Sequence, residues 1–254
     1  MTKGRRVNEE AVDIDYKSTQ AFFDARGLGS YINPLSATMY QDEQPELVEK
    51  RDVAEKATLA SFPGISCVES VLDMGCGIGR WAKFFADQTQ PPVYLGIDFS
   101  ASLIEKAKKI NVKNGKKTHF QVMSVTELEE KKLIVPPPYE FVIISGVLMY
   151  LNDNDCLQVL KKAVSLCAKN GRIYLREPLA ISVRLTLQDV FSEELNYNYS
   201  AIYRTEDELN EIIKKACADD VFYMQPWKKL FSDDLEKRKE TRQKYSLLCR
   251  SETL

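Results

Sequence analysis

The sequence predicts an α/β fold whose sheet is doubly wound and mostly parallel. Apolar runs that suit strands alternate with helix-like segments, the pattern of repeated βα units. The run Phe141–Ser145 is almost wholly apolar, as expected for a strand covered on both faces of a sheet. The last two apolar runs, Val221–Gln225 and Lys244–Cys249, have no obvious helix between them. We therefore expect a closing hairpin that adds one antiparallel strand.

Helix signals and apolar runs place the other elements. Asn170–Gly171 is typical of a helix end, so the helix that starts near Asn152 should stop there. Thr205 and Glu208 have the spacing of a capping box, which should open a helix to about Ala218. The predicted elements are strands at 68–74, 93–98, 119–124, 141–145, 172–176, 221–225 and 244–249, and helices at 100–110, 156–168 and 205–218.

A glycine-rich turn in residues 71–80 is the strongest indication of function. The strand before it carries an acid near its end, Asp73, and glycines then recur at every second position. Glycine permits positive φ angles and lets a ligand lie against the backbone. The spacing differs from the G-x-G-x-x-G turn that binds a pyrophosphate. A carboxylate repels pyrophosphate and suits a cofactor that carries an amine. The three glycines are Gly75, Gly77 and Gly79.

A second acid, Asp98, ends the next apolar run, Val93–Asp98, about one βα unit later. An acid at that place can accept hydrogen bonds from ribose hydroxyls. The turn and this acid together resemble the glycine motif of class I S-adenosylmethionine-dependent methyltransferases, over about residues 68–180. The resemblance implies a Rossmann-like methyltransferase fold with a seven-stranded sheet, and S-adenosyl-L-methionine as the cofactor.

The resemblance also implies roles for individual residues. Asp73 would orient the ammonium group of the cofactor, and Asp98 would hold its ribose. The adjacent Phe99 would also belong to the cofactor site. Further along the chain, Ser124 and Val125 fall at adenine-contacting positions. The strand that ends at Ser145 would line the site of methyl transfer.

Residues 1–56 are predicted to form an N-terminal cap or lid on a methyltransferase domain at 57–254. The stretch Phe22–Asp42 is rich in aromatic and hydroxyl side chains and has little helical periodicity, as binding loops do. Arg26 would pair with the cofactor carboxylate, and Tyr31 or Tyr40 would close over the sulfonium, since aromatic faces attract cations. The alternative is a surface strap that only packs on the core.

An insertion at residues 179–204 is predicted on the substrate side. Just before it, Arg176 and Glu177 end a strand, where open α/β sheets bind ligands. Glu177 is our candidate general base, with Tyr150 as the next candidate, and Arg176 would bind an anionic group of the substrate. The cluster in and beside the insertion suits a polar or acidic small molecule, or else forms salt bridges and aromatic packing. Its members are Arg184, Tyr197, Tyr199, Tyr203 and Arg204.

Composition narrows the class of protein. The formal charge is −2, from 35 basic and 37 acidic residues, which argues against broad binding to nucleic acid or anionic membranes. There is no membrane-spanning apolar run and no secretory signal, and the six cysteines form no C-x-x-C pair. We expect a cytoplasmic monomer or homodimer without a metal site.

The leading hypothesis is a methyltransferase that acts on an oxygen, or a nitrogen, of a small polar molecule or glycan unit. Positioning of the reactants would supply much of the catalysis. The alternatives are a protein or RNA methyltransferase, a non-catalytic cofactor-binding regulatory subunit, and a nicotinamide-dependent dehydrogenase. Glycine spacing and the closing hairpin disfavour the last.

Overall fold

The computed structural model describes residues 4–218 and 222–250. Its described part contains a large mixed sheet, a small three-stranded sheet and helices that pack around both. The strands are β1 (Arg5–Asn8), β2 (Ser70–Met74), β3 (Val93–Asp98), β4 (Thr118–Val122), β5 (Tyr139–Ser145), β6 (Cys167–Ala180), β7 (Leu185–Ser192), β8 (Tyr197–Tyr203), β9 (Phe222–Met224), β10 (Lys228–Lys229) and β11 (Thr241–Arg250). The helices are α1 (Tyr16–Leu28), α2 (Ser36–Met39), α3 (Pro45–Ala60), α4 (Arg80–Ala86), α5 (Ala101–Ile110), α6 (Asp153–Leu166) and α7 (Glu206–Ala216).

The large sheet confirms the predicted topology. Five parallel strands lie in the order β6-β5-β2-β3-β4, and β11 runs antiparallel beside β6. The other edge of β11 pairs with two short strands, β9 and β10. Pro226 lies between them and has no N–H to give to a ladder, so the two segments share one strand position. The eight strands therefore fill seven positions. The closing hairpin is antiparallel as predicted, although its expected first residue, Val221, lies outside the described residues.

Apolar side chains cover both faces of this sheet, as its continuous hydrophobic strands predict. On one face, helices α6 and α7 pack against residues such as Leu72 and Ile144. On the other face, Trp81 and Phe85 of α4 pack with Leu59 of α3 against the strands. Because helices cover both faces of the sheet, the space accessible to a ligand lies at the carboxyl ends of the parallel strands.

Two helix predictions had different outcomes. The capping box of α7 is confirmed, because Thr205 accepts from the Glu208 N–H at 3.2 Å and Glu208 accepts from the Thr205 N–H at 2.8 Å. The predicted helix end at Asn170–Gly171 is wrong. Helix α6 stops at Leu166, and Asn170, with a φ of 62°, lies instead within a register shift at the start of β6.

The two added segments are more ordered than their composition predicts. The stretch Phe22–Asp42 was expected to lack helices, yet it contains the end of α1 and all of α2. The Asp15 carboxylate starts α1 by accepting from the next N–H groups. The insertion 179–204 forms the hairpin β7–β8, and β1 adds a third strand against β7. Helix α3 runs through the predicted boundary at residue 56, so cap and domain share a helix.

Within 4–218 and 222–250 no helix is long and apolar enough to cross a membrane. The same residues contain no cluster of three His, Cys, Asp or Glu side chains that could hold a metal ion.

Candidate functional site

A cavity of about 560 Å³ lies at the carboxyl ends of the parallel strands. It has two halves that different parts of the chain supply. The turns after β2, β3 and β4 form what we call the cofactor half. Helix α3, the end of β6, β8 and the segment that leads into β11 form the acceptor half. The cofactor half is lined by Asp73, Gly75, Gly77, Asp98, Ser124 and Val125, and the acceptor half by Arg51, Arg176, Tyr203, Glu236, Arg238 and Gln243.

The glycine turn is tied to the neighbouring strand. The N–H groups of Gly75 and Cys76 both donate to the carbonyl of Ile97, at 2.8 and 2.9 Å. Gly77 has a φ of 54°, and a Cβ there would lie 2.6 Å from a methyl group of Thr38. Glycine is thus required both by the left-handed backbone and by the close packing. The turn leaves its backbone facing the cavity.

Asp98 is a preorganised acceptor at the end of β3. Its carboxylate accepts from the N–H of Gly77 and the N–H of Ser100, both at 2.9 Å. Burial raises the pKa of Asp98 to about 6, although these two hydrogen bonds stabilise the ionised form and act in the opposite direction. Phe99, the next residue, also lines the cavity. The carboxylate therefore stands where hydroxyl donors of a ligand can reach it.

Asp73 lies deeper, and its partner was not predicted. The hydroxyl of Tyr94 donates to Asp73 at 2.5 Å. Burial raises the pKa of Asp73 to about 7, although this hydrogen bond and Arg80 act in the opposite direction. A cationic group beside it would favour the ionised form. Tyr94 was missed because a tyrosine inside an apolar strand is typical of core packing.

Ser145 belongs to a buried polar network that the sequence did not indicate. Its hydroxyl donates to Glu55 at 3.1 Å and accepts from Arg80 at 3.0 Å. Glu55, on α3, also accepts from Arg80 at 2.7 Å and from Tyr174 at 3.2 Å. Burial alone would raise the pKa of Glu55, but the guanidinium groups of Arg80 and Arg176 outweigh it and lower the pKa. The network fixes α3 against the ends of β5 and β6.

Arg26 and Tyr31 do not reach the cavity. Arg26 is buried and holds Asp42 through two bonds of 2.6 and 2.7 Å, and it also donates to the carbonyls of Ser36 and Ala37. The Tyr31 ring lies 4.3 Å from the Arg26 guanidinium carbon. The geometry does not support our expectation that these two side chains bind the cofactor. They brace the chain around α2 instead.

Tyr40 does line the cavity, and its hydroxyl is hydrogen-bonded to that of Tyr150. This contact joins the N-terminal segment to the loop after β5. Burial is the main cause of a raised pKa for both phenols. Both are therefore neutral at physiological pH and unsuited to remove a proton, which argues against Tyr150 as a general base.

Glu177 is the main correction among the expected site residues. Successive residues of a strand point to opposite faces. Arg176 faces the cavity, whereas Glu177 is 2% exposed and faces away from it. Its carboxylate accepts from three consecutive backbone N–H groups, those of residues 147, 148 and 149, at 2.9, 2.9 and 3.2 Å. Burial raises its pKa to about 7. This placement makes Glu177 an anchor of that loop and does not support it as the base.

The insertion contributes packing as well as lining. Arg184 and Arg204 are buried and pair with Asp153 at 3.0 and 2.7 Å. These two residues therefore form salt bridges, the alternative to binding a small molecule that the sequence left open. Tyr203 lines the cavity, and Tyr199 packs beside it. The hydroxyls of these two tyrosines accept from Arg238, at 2.7 and 2.9 Å.

Sequence reasoning missed Arg51, Glu236 and Arg238 as residues of the acceptor half. The only signal for the last two was a charge-dense stretch between the closing strands, which resembles a solvated loop. Burial raises the pKa of Glu236, which accepts from the Gln243 N–H at 3.0 Å and lines the cavity. It is the carboxylate of the acceptor half.

Known proteins support the fold and the domain class. Residues 71–171 match the family described as a methyltransferase domain. A phosphoethanolamine N-methyltransferase 1 of Triticum aestivum is 31% identical over 137 residues, which cover 54% of this chain and 24% of that protein. An uncharacterized protein of Methanocaldococcus jannaschii is 26% identical over 142 residues, 54% of this chain and 37% of that protein. The chain thus spans about a quarter to a third of the length of these curated relatives.

Solved structures show the same fold. Phosphoethanolamine N-methyltransferase 1 of Haemonchus contortus, in complex with phosphoethanolamine and S-adenosylhomocysteine, matches with a TM-score of 0.65 and 19% identity, over 94% of this chain and 49% of that one. A Burkholderia thailandensis 1,6-didemethyltoxoflavin-N1-methyltransferase matches with a TM-score of 0.65 and 13% identity, over 99% and 100% of the two chains. The chain therefore has the fold of these methyltransferases, and its residues 71–171 match a methyltransferase domain, in agreement with the prediction from the glycine turn and Asp98.

Proposed function

We propose that the chain transfers a methyl group from S-adenosylmethionine to a nitrogen atom of a small polar molecule. One observation carries this proposal: the cofactor turn and a separate polar region line one cavity of about 560 Å³. Small-molecule sites have volumes of roughly 300–1,000 Å³. The contact between Tyr40 and Tyr150 joins the N-terminal segment to the loop after β5 at this cavity, an arrangement that suits a small acceptor better than a polymer.

The cofactor half fits the cofactor that its fold implies. Asp98 would accept from the ribose hydroxyls, and Asp73 would hold the ammonium group. Ser124 and Val125 line the cavity where the adenine would lie. Bound there, S-adenosylmethionine supplies an electrophilic methyl group on a sulfonium.

Nitrogen is favoured over oxygen by the groups that surround the acceptor half. A neutral amine attacks with its own lone pair, while an alcohol must lose a proton to a base. The hydroxyls of Tyr40 and Tyr150, which line the cavity, keep their protons because burial raises their pKa values. They can still orient an amine by hydrogen bonds, and the aromatic rings stabilise the positive charge that forms on nitrogen. Three of the similar proteins reported above are also named as N-methyltransferases.

Oxygen methylation remains the second candidate because of Glu236. This carboxylate lines the acceptor half and burial raises its pKa, as suits a general base. Under this alternative Glu236 takes the proton of a hydroxyl, and a sugar becomes an acceptable substrate.

The test uses the full-length chain. Calorimetric titration with S-adenosylhomocysteine should show binding, and Asp98→Ala should weaken it. Matched acceptor pairs that carry an amine or a hydroxyl on the same small skeleton are then incubated with S-adenosylmethionine, and the products are identified by mass spectrometry. Methylation of the amines alone supports the proposal. Methylation of the hydroxyls that Glu236→Gln abolishes would favour the second candidate, and products only on peptides or RNA would contradict both.

A further inference from the structure

We propose that the acceptor half is a subsite for a phosphoryl group, held by Arg51, Arg176 and Arg238. The inference rests on the proposed function, since it names a chemical group of the acceptor. The three residues come from separate elements: α3, the end of β6 and the segment before β11. All three line the same cavity.

Arg176 and Arg238 share the cavity with Arg51, and their charges act on it. Burial is the main cause of a lowered pKa for Arg51, and the charges of Arg176 and Arg238 add to it. Such mutual repulsion is unfavourable for the fold, and a bound anion would relieve it.

In the described residues Arg51 and Arg238 have no carboxylate oxygen within 4 Å, and Arg176 has only a long ion pair with Glu55. Arg176 has a buried Nε without a hydrogen bond, and the nearest oxygen of Glu55 is 3.7 Å away. Arg51 donates only to the backbone carbonyl of Leu235, at 2.8 and 2.5 Å. Arg238 donates to two tyrosine hydroxyls, as described above. Their capacity to bind an anion is therefore largely unused.

Buried arginines elsewhere in the described residues lie close to carboxylate partners. Arg26 lies 2.6 Å from a carboxylate oxygen, and Arg184 and Arg204 lie 3.0 and 2.7 Å from one. A charge that is taken out of water is costly unless it is paired. The three cavity arginines are paired less closely with carboxylates than these other arginines are, which points to a ligand as the missing partner.

The remaining charges around the subsite leave it positive. Glu236 lines the cavity and, with Glu194, acts on Arg51, while Lys237 adds another cation. With Glu55, 3.7 Å from Arg176, three carboxylates lie near three guanidinium groups and a lysine, so the balance is still positive.

The chemistry of these donors favours a phosphoryl group over a carboxylate. A guanidinium group offers a planar fork of N–H donors, and guanidinium–phosphate pairs are often bidentate. Three such forks from three separate elements can serve the three terminal oxygens of a phosphate monoester. A carboxylate has only two oxygens in one plane.

The experiment titrates inorganic phosphate, and separately acetate, into the S-adenosylhomocysteine complex of the full chain at constant ionic strength. Phosphate should bind saturably and more tightly than acetate. Arg176→Gln and Arg238→Gln should each weaken phosphate binding by about tenfold or more, because each removes a charge-assisted pair. Arg6→Gln is the matched control: its exposed ion pair with Glu240 lies outside the cavity, so phosphate affinity should stay within about twofold of the parent.

Three outcomes would overturn the subsite: no saturable phosphate binding, acetate affinity equal to that of phosphate, or phosphate affinity unchanged in both cavity variants. Circular dichroism and the affinity for S-adenosylhomocysteine show whether each variant is folded. Arg176→Lys keeps the charge without the fork, so it should bind phosphate more tightly than Arg176→Gln. If the parent binds S-adenosylhomocysteine but not phosphate, the subsite is wrong and the proposed methyltransferase function stands. Failure to bind S-adenosylhomocysteine contradicts the proposed function itself.

Discussion

The cofactor half and the acceptor half of the cavity are built in opposite ways. The cofactor half comes from consecutive turns of the parallel sheet, and its two candidate ligand-binding side chains, Asp73 and Asp98, are acids. The acceptor half comes from distant segments, and most of its charged side chains are arginines. In the first, backbone geometry and short hydrogen bonds fix each group. In the acceptor half, arginine side chains share one cavity and lack close carboxylate partners. The comparison shows that the sheet topology determines the cofactor half, whereas the additions to the core determine the acceptor half.

The largest expected effect tests the role of backbone in the cofactor half. At Gly79 φ is 71°, and a Cβ would lie 2.5 Å from the ring of Phe120. Gly79→Ala should lower the free energy of unfolding by about 3 kcal/mol, through left-handed strain plus crowding. Gly115, with a φ of 84° and no atom within 4 Å of a Cβ, is the matched control. Gly115→Ala should cost only the strain, about 1 kcal/mol. Urea denaturation measures both, and equal losses would refute the crowding argument.

Asp98 tests whether the halves are independent. Asp98→Ala should weaken S-adenosylhomocysteine binding by roughly 1–3 kcal/mol, because it leaves ligand hydroxyls and two backbone N–H groups without an acceptor. Phosphate affinity in the acceptor half should not change. Asp87→Ala, which removes only an exposed pair with Lys83, serves as the control. Calorimetry in which Asp98→Ala reduces both affinities alike would show that the two halves are one unit.

The acids also predict a pH dependence. Burial raises the pKa values of Asp98 and Asp73 to about 6 and about 7. Because only the ionised forms accept from the ribose and pair with the ammonium, affinity for S-adenosylhomocysteine should rise between about pH 5 and pH 8. Without ligand the sign for stability is opposite. The folded state binds these protons more tightly than the unfolded state, so both contributions to stability fall as pH rises from about 4 to about 7. Titrations across this range check the first statement, and a flatter profile for Asp98→Asn checks the assignment.

Glu177 is expected to have a smaller effect, on structure and not on proton transfer. An amide can accept through only one of its two end atoms, so Glu177→Gln should lose part of the anchor at residues 147–149 and about 1 kcal/mol of stability. Turnover should fall less than tenfold, with no change in the shape of its pH profile. A loss of roughly 10²–10⁴-fold is typical of a missing general base and would restore that role.

The smallest expected effect concerns the stability of the acceptor half. Arg176→Gln removes a charge whose ion pair with Glu55 is long, 3.7 Å, while Arg80 still pairs with Glu55 at 2.7 Å, so the free energy of unfolding should fall by less than about 1 kcal/mol. Arg204→Gln, by contrast, breaks a buried pair with Asp153 and should cost about 3 kcal/mol. Thermal unfolding compares the two. A similar loss in both would mean that Arg176 is paired as firmly as Arg204, and the contrast on which the anion subsite depends would fail.

The same division explains what the sequence could predict. Asp73 and Asp98 end apolar runs beside glycine or serine turns, and that local pattern is sufficient to place them. Arg51 could not be placed this way, because nothing near it in the sequence indicates that α3 packs against the segment before β11. Its role depends on contacts between distant parts of the chain.

The prediction for Glu177 failed for a different reason, because the alternation of side chains along the strand already argues against it. Neighbouring residues of a strand cannot both face one cavity, and the position of Arg176 alone decides the position of Glu177. Tyr94 was missed for another reason. It lies in an apolar strand, and the only indication that its hydroxyl has a role is Asp73 on the adjacent strand.

The pairing of β1 with β7 has a consequence for the order of folding. The strands β2, β3 and β4, which lead into the turns of the cofactor half, and their neighbour β5 are contiguous in sequence between residues 70 and 145. The acceptor half needs β6, β8 and the approach to β11, and β1 must join β7 to complete the small sheet. Contacts of large sequence separation close large loops at an entropic cost and form slowly. We therefore expect the amides of β2 to β5 to become protected early in refolding, and those of β1, β7 and β11 late. During synthesis, the chain would then form the cofactor half before the acceptor half.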